Sequence, residues 1–194
     1  MICHKFDNNS VELVVEFLKN NKVVIIPTDT VYGFSAIACS DLNQNVQNQD
    51  KIRQIKGRSE NKPFIHLISN PEDIFNYTNQ KISNKVLKCW PGPLTVIVSD
   101  KDDEKRTIAL RCPNDDWLRR IISLCNNAIF STSVNLSGCD VLEDEQSIVE
   151  TFGSKADLIV LDGDKKGGVP STIIKIIDNS FEVIRQGSMK LDID

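Results

Sequence analysis

The stretch Val23-Val24-Ile25-Ile26-Pro27-Thr28-Asp29-Thr30-Val31-Tyr32-Gly33 decides how the rest of the chain is read. Residues 23–26 form a short continuous apolar run stopped by a proline, the pattern of a strand covered on both faces. Strand ends are where α/β sheets place their sites. The loop that follows brings the hydroxyls of Thr28, Thr30 and Tyr32 and the carboxylate of Asp29 to such an end. A turn capped by Thr and Asp explains the same residues, and composition alone does not separate the two readings.

Working outward, residues 11–20 carry Val11, Val14, Val15 and Leu18 on one helical face, with Asn9 or Ser10 as cap. Helices are expected at 50–55, 74–77, 82–89, 117–125 and 147–152, and strands at 64–68, 94–99, 107–111, 128–133, 158–161, 171–177 and 181–185. The last two strands, joined through residues 178–180, read as a hairpin. Strands and helices alternate, yet adjacent strands meet near the end, so a mixed α/β sheet is favoured over a purely parallel one. The Asn- and Gln-rich residues 43–50 and the charged residues 100–106 read as solvated loops.

The length of 194 residues suits one domain spanning 1–194. A hydrophobic share of 40% with 26% charged residues is ordinary for a soluble protein. The net charge of −4 argues against a surface that binds polyanions wholesale, though not against a local basic pocket. Six scattered cysteines form no CxxC pair, and only His4 and His66 could join them, so no metal site is expected. The polar start reads as no signal peptide and no apolar run is long enough to span a bilayer. A cytoplasmic protein with reduced thiols and no membrane partner is the expectation.

There is no GxxxxGK[ST] loop and no GxGxxG. A bound nucleotide would therefore be gripped by individual side chains. Lys56-Gly57-Arg58-Ser59-Glu60-Asn61-Lys62-Pro63 places three cations in seven residues ahead of a strand. Arg can hold phosphate oxygens bidentately and Lys adds a point charge, although for this segment taken alone a solvated basic turn is the better reading. Trp90-Pro91-Gly92-Pro93-Leu94-Thr95 is rigid and reads as a pocket wall. Thr107, Ala109 and Arg111 share one strand face, and a buried Arg there needs an anionic partner. Ser131-Thr132-Ser133-Val134-Asn135-Leu136-Ser137-Gly138 again follows an apolar strand, with a helix cap as the plain alternative. Pro170-Ser171-Thr172-Ile173 and Arg185-Gln186-Gly187 complete the series. No Ser-His-Asp arrangement is available.

Seven such motifs in order, from about Val11 to Gly187, resemble the YrdC-like threonylcarbamoyl-AMP synthases. The resemblance implies a single-domain twisted mixed β-sheet flanked by helices, of the YrdC/RibB-like kind. It implies that L-threonine and bicarbonate form a carbamate, which attacks the α-phosphate of ATP and expels pyrophosphate. The product serves the tRNA threonylcarbamoyl-transfer machinery, with direct tRNA binding left open. By motif position, Thr30, Arg111, Ser133 and Ser171 are expected on the threonine side. Lys56, Arg58, Lys62, Thr107, Asn135 and Arg185 are expected on the ATP side, with Lys56 and Arg58 neutralising phosphates and Arg111 pairing with the threonine carboxylate. Mg2+ would be held mainly by ATP phosphates and water, with no protein cage.

Some positions depart from the family pattern: Val134 replaces a common alanine, Lys62-Pro63 replaces Asn-Pro, and His66 sits one residue from a histidine of some relatives. No room is expected after Asp194 for the extra domain of the longer branch. Two alternatives stand beside this reading. One is a related carbamate-adenylating or carbamoyltransferase enzyme; the other is an RNA-binding module of the same fold.

Overall fold

The structure, a computed structural model, describes residues 1–58, 63–178 and 180–191. Its strands are β1 (Ile2–His4), β2 (Val24–Ile26), β3 (Gly33–Ile37), β4 (Ile65–Leu67), β5 (Leu94–Ser99), β6 (Thr107–Arg111), β7 (Ile129–Ser133), β8 (Leu158–Leu161), β9 (Thr172–Ile177) and β10 (Ser180–Arg185). Helices α1 (Ser10–Lys19), α2 (Leu42–Lys56), α3 (Asn84–Leu87), α4 (Asp116–Cys125) and α5 (Glu145–Phe152) flank them, with a 3-10 helix at Pro71–Asn76. The strands make one mixed sheet in the order β1-β8-β2-β3-β7-β4-β6-β5-β9-β10. The expected mixed α/β sheet with flanking helices is what forms. No helix among the described residues is long and apolar enough to cross a membrane.

The unbroken apolar run of β2 has a direct cause. Val24 and Ile26 pack with Val14 and Leu18 of α1 and Leu118 and Ile122 of α4. Ile25 points the other way, into a cluster with Phe34, Ile52 of α2 and Phe152 of α5. Both faces are covered, so polar alternation would bury unpaired groups. A third cluster packs Leu94, Val96 and Ile174 under Ile74, Ile82 and Trp90.

Residues 43–50 are not a loop. They belong to α2, which starts at Leu42 with the Asp41 carboxylate accepting from Asn43 N at 2.9 Å and Gln44 N at 3.2 Å. The helix buries only Asn48, Ile52 and Lys56, one narrow stripe in which two of three members are polar. Asn48 satisfies itself there: its Nδ2 donates to Asn21 Oδ1 and Ile37 O, both at 3.1 Å. The stripe therefore leaves no apolar periodicity to read. Strand β3 was hidden in the same way, because Gly33, Ser35 and Ala36 dilute it, although Ser35 and Ala36 are both fully buried. The helix expected at 74–77 is the 3-10 helix beginning at Pro71, and the one expected at 82–89 contracts to α3. The terminal hairpin forms as β9 and β10, with a bulge between Val183 and Arg185; its turn includes Asn179, which lies outside the described residues.

β8 and β9 are seven places apart in the sheet and are joined by residues 162–171 alone. On a flat sheet that gap is roughly 34 Å, close to the full reach of so short a segment. The segment also turns, with Gly168 N donating to Lys165 O at 2.9 Å, so the sheet must curl to bring the two strands together. The curl forms the cleft described below.

His66 of β4 stands edge-on to Phe130 at 4.9 Å, and burial drives its pKa down to about 4. Its Nδ1 is buried without a hydrogen-bond partner. The unfolded chain takes up this proton near pH 6.5, and the folded one does so only near 4. The unfolded state thus binds more protons between these values, and stability falls as pH drops through that window. The full effect is about 3 kcal/mol. A His66→Leu variant should show a shallower loss of urea midpoint between pH 6.5 and 4; an unchanged slope would rule His66 out as the cause.

Candidate active site

A cleft of about 300 Å³ opens where β2, β3, β6, β7, β9 and β10 come together. In register, Ile26 pairs with Gly33 and Gly33 with Ser133, while Ile65 pairs with Ser131 and Leu67 with Arg111. Paired residues share a face, so the floor continues the face that α1 and α4 cover further along the strands. Gly33 keeps this floor open: a Cβ would stand 2.9 Å from Ser131 Oγ and push that hydroxyl aside.

The loop after β2 is folded on its own hydroxyls. Thr28 Oγ1 accepts from Thr30 N at 3.1 Å and lies 3.0 Å from Thr30 Oγ1. Thr30 Oγ1 in turn accepts from Arg111 Nη1 at 2.9 Å. Arg111 is only 5% exposed. Its Nη2 donates to Asp29 Oδ1 at 2.5 Å and its Nε to Gly92 O at 3.3 Å. The other Asp29 oxygen accepts from Asn114 N at 2.9 Å. Burial pulls the Arg111 pKa down and Asp29 pushes it back. The anionic partner that a buried Arg at this position required is thus supplied from within the chain.

Two other arginines face the cleft without such a partner. Arg58 follows Gly57, which caps α2 in the left-handed conformation with φ 60°. Its guanidinium lies 4.9 Å from the Phe64 ring, with Nη1 donating to Thr132 Oγ1 at 2.7 Å and Nη2 to Pro63 O at 2.8 Å. Its Nε is buried and unpartnered. Arg185 donates to Ser171 O from Nε at 3.3 Å and Nη2 at 2.8 Å. Burial lowers the pKa of both, helped by Arg53 near Arg58 and by Arg111 near Arg185. Among the described residues no carboxylate forms an ion pair with either. Their charge is therefore available to an anion, whereas that of Arg111 is balanced.

Ser171 is buried beside Thr95, their hydroxyls 2.8 Å apart. Gly187 lets the Arg185 segment close down on it, since a Cβ would come within 2.2 Å of Pro170 O and 2.4 Å of the Ser171 carbonyl carbon. Lys56 stands differently from Arg58. It is 2% exposed, and its Nζ donates to Ser133 O, to Asn135 O at 3.0 Å and to Asn135 Oδ1 at 2.8 Å. Ser133 Oγ also reaches Asn135 Oδ1 at 2.8 Å. Lys56 is thus a strut inside the Ser133–Asn135 turn, behind the wall of the cleft.

Thr30, Arg58, Arg111, Ser133, Ser171 and Arg185 all line the cleft. Lys56 and Asn135 support it. Thr107 does not reach it. It is exposed at the far end of β6, paired with Ser99, and four residues of strand separate it from Arg111 by about 13 Å. Lys62 lies outside the described residues. Thr28 and Asp29 were read from the sequence as polar groups at a strand end, and Thr95 and Ser131 as motif members, but none of the four was given a place in the site. The period-2 spacing of Ser131 and Ser133 carried a signal for one of them; the pairing of Asp29 with a residue 82 positions away carried none.

The Sua5/YciO/YrdC family model, described as "Telomere recombination", matches residues 16–187. The chain belongs to the Sua5/YciO/YrdC family. It is 34% identical over 185 residues to a putative threonylcarbamoyl-AMP synthase of Methanocaldococcus jannaschii, covering 90% of this chain and 86% of that protein. A threonylcarbamoyl-AMP synthase of Pyrococcus abyssi is 27% identical over 192 residues, but the match covers 94% of this chain and 55% of that protein. The chain thus spans about half of such longer family members. Among solved structures, a double variant of P. abyssi Sua5 superposes with a TM-score of 0.86 at 25% identity, covering 99% of this chain and 61% of that one. P. abyssi Sua5 complexed with L-threonine gives 0.84 at 24% identity, covering 96% and 57%. These superpositions place the ten-stranded sheet in the Sua5/YciO/YrdC fold.

Proposed function

We propose that this protein is a threonylcarbamoyl-AMP synthase acting in the cytoplasm, joining L-threonine, bicarbonate and ATP into threonylcarbamoyl-AMP with release of pyrophosphate and water. The observation that carries the reading is the division of charge in one cleft. Arg58 and Arg185 present cations that no carboxylate among the described residues pairs with, and the Arg111–Asp29 pair presents a neutral, hydrogen-bonding frame beside Thr30 and Ser171. The naming of family relatives across archaea, bacteria and mammals as threonylcarbamoyl-AMP synthases supports it.

The residues divide the work by charge. A carbamate oxygen must approach the α-phosphorus while charge builds on the pyrophosphate that leaves. That step needs placement and cations rather than a nucleophilic side chain. Arg58 and Arg185 supply the cations at the walls. Thr30, Ser171 and Ser131 offer hydroxyls to the amino acid. Lys56 holds the Ser133–Asn135 turn in place. Among the described residues no cluster of carboxylates, histidines or cysteines suits a metal ion; Mg2+ would arrive with ATP, bound mostly by phosphate and water. The product would pass to the machinery that modifies tRNA.

Incubation with ATP, bicarbonate and L-threonine tests this. Pyrophosphate release should require all three, and threonylcarbamoyl-adenylate should be detectable by mass spectrometry. L-serine and carbamoyl phosphate serve as alternative substrates. Turnover driven by carbamoyl phosphate without threonine would replace the synthase reading with the carbamoyltransferase one.

A further inference from the structure

Residues 162–171 form a strap from β8 to β9, and its far end supplies Pro170 and Ser171 to the cleft. The near end is held by one buried phenol. Tyr32, fully buried, accepts from Asp162 N at 2.7 Å and donates to Gly163 O at 2.9 Å. Glu145, in the first turn of α5, accepts from Gly163 N at 2.6 Å through an oxygen that lies 3.3 Å from the Tyr32 hydroxyl. Glu143 holds the middle: its backbone carbonyl accepts from Lys165 N at 2.7 Å and its carboxylate from Gly167 N at 3.0 Å. Gly168 then passes so close to the first loop that a Cβ would meet Thr30 O at 2.7 Å and Val31 Cγ1 at 3.1 Å. The strap therefore presses on the backbone of Thr30 before delivering Ser171, and its contacts within the cleft fall on the amino-acid half, except that Ser171 O also accepts from Arg185.

We infer that Tyr32 and Glu145 are positioning residues: together they clamp the strap and so set the amino-acid half of the cleft, without touching substrate. Arg58, on the opposite wall, is held by Thr132 and Pro63 and does not depend on the strap. The inference rests on the synthase reading and makes a demand that reading alone does not make. Loosening the clamp must weaken threonine use more than ATP use, because Arg58 stays held even where Arg185 loses the support of Ser171 O.

The test compares Tyr32→Phe, Glu145→Ala and Glu145→Gln with the wild-type chain in the pyrophosphate assay. Tyr32→Phe and Glu145→Ala should raise KM for threonine about tenfold with a much smaller rise in KM for ATP. Glu145→Gln keeps an acceptor oxygen for Gly163 N and should restore most of the loss. Glu145 is only half-buried, so its variants are expected to fold even if Tyr32→Phe does not. Hydrogen exchange gives a readout independent of activity: amides at 162–168 should exchange faster in Tyr32→Phe and Glu145→Ala, with β2 and β8 unaffected. Parallel rises in both KM values, a Glu145→Gln chain as impaired as Glu145→Ala, or unchanged exchange would overturn the clamp. Absent wild-type turnover would instead defeat the synthase reading, and the exchange result would still judge the clamp.

Discussion

Asp29→Ala is expected to destabilise the protein by about 3–5 kcal/mol and to abolish most turnover with it. The reason is what the variant leaves behind. Arg111 and Asp29 are both well buried, with side chains 6% and 11% exposed. Removing the carboxylate strands a guanidinium that is still desolvated, and it also leaves Asn114 N without its acceptor. Arg111 would then move toward whatever anion or water it can reach and give up Thr30. Asp29→Asn keeps one acceptor oxygen but loses the charge and sets an NH2 against the second donor, so its loss should be smaller than that of alanine yet still about 1–3 kcal/mol. Urea unfolding of the three proteins at neutral pH gives the comparison. Equal midpoints for Asp29→Ala and wild type would mean that Arg111 is compensated elsewhere and that the pair is not the frame of the cleft.

The second large effect belongs to Arg58. Arg58→Ala should lower threonine-dependent pyrophosphate release about 10²–10³-fold, the usual scale for deleting one donor aimed at developing charge. Stability should hardly move. Among the described residues the side chain pairs with neutral oxygens alone, its Nε has no partner there, and truncation removes a buried cation instead of exposing one. Arg58→Lys retains the charge and loses the planar fork, so it should recover part of the rate. Near-normal turnover in Arg58→Ala, with a normal melting temperature, would remove Arg58 from the phosphate side. The contrast is itself diagnostic: Asp29 is needed for the fold of the cleft and Arg58 only for what the cleft does.

Much of this was legible in the sequence, for identifiable reasons. Strands β5, β6 and β8 are bounded as expected because each is a compact apolar run closed by polar or turn residues. The cleft-lining set Thr30, Arg58, Arg111, Ser133, Ser171 and Arg185 was reached through motif order; all but Arg58, which follows α2, sit at a strand end or beside one. What escaped was set by tertiary contact. Asn48 takes a place in the buried stripe of α2 because Asn21 and Ile37 O wait for its amide, and nothing local announces that. Thr107 was carried over by position in a motif, although strand geometry puts it at the wrong end of β6. Lys56 was read with Arg58 as a phosphate cation; Ser133 O and both oxygens of Asn135, far along the chain, accept from its Nζ.

The curl of the sheet has a consequence for how the protein comes into being. Its cleft is assembled from residues 28–30, 58, 111, 131–133, 171 and 185, and the strands carrying the last two, β9 and β10, follow all the others in the chain. A chain emerging from the ribosome can bury most of its core before Ser171 and Arg185 exist. Until then the wall opposite Thr30 is missing, and one edge of β5 is unpaired. Such late, long-range pairing is slow and leaves an open strand edge meanwhile. The nascent protein would therefore be close to folded yet unable to hold its substrates, and translation of the final hairpin would be the event that makes it an enzyme.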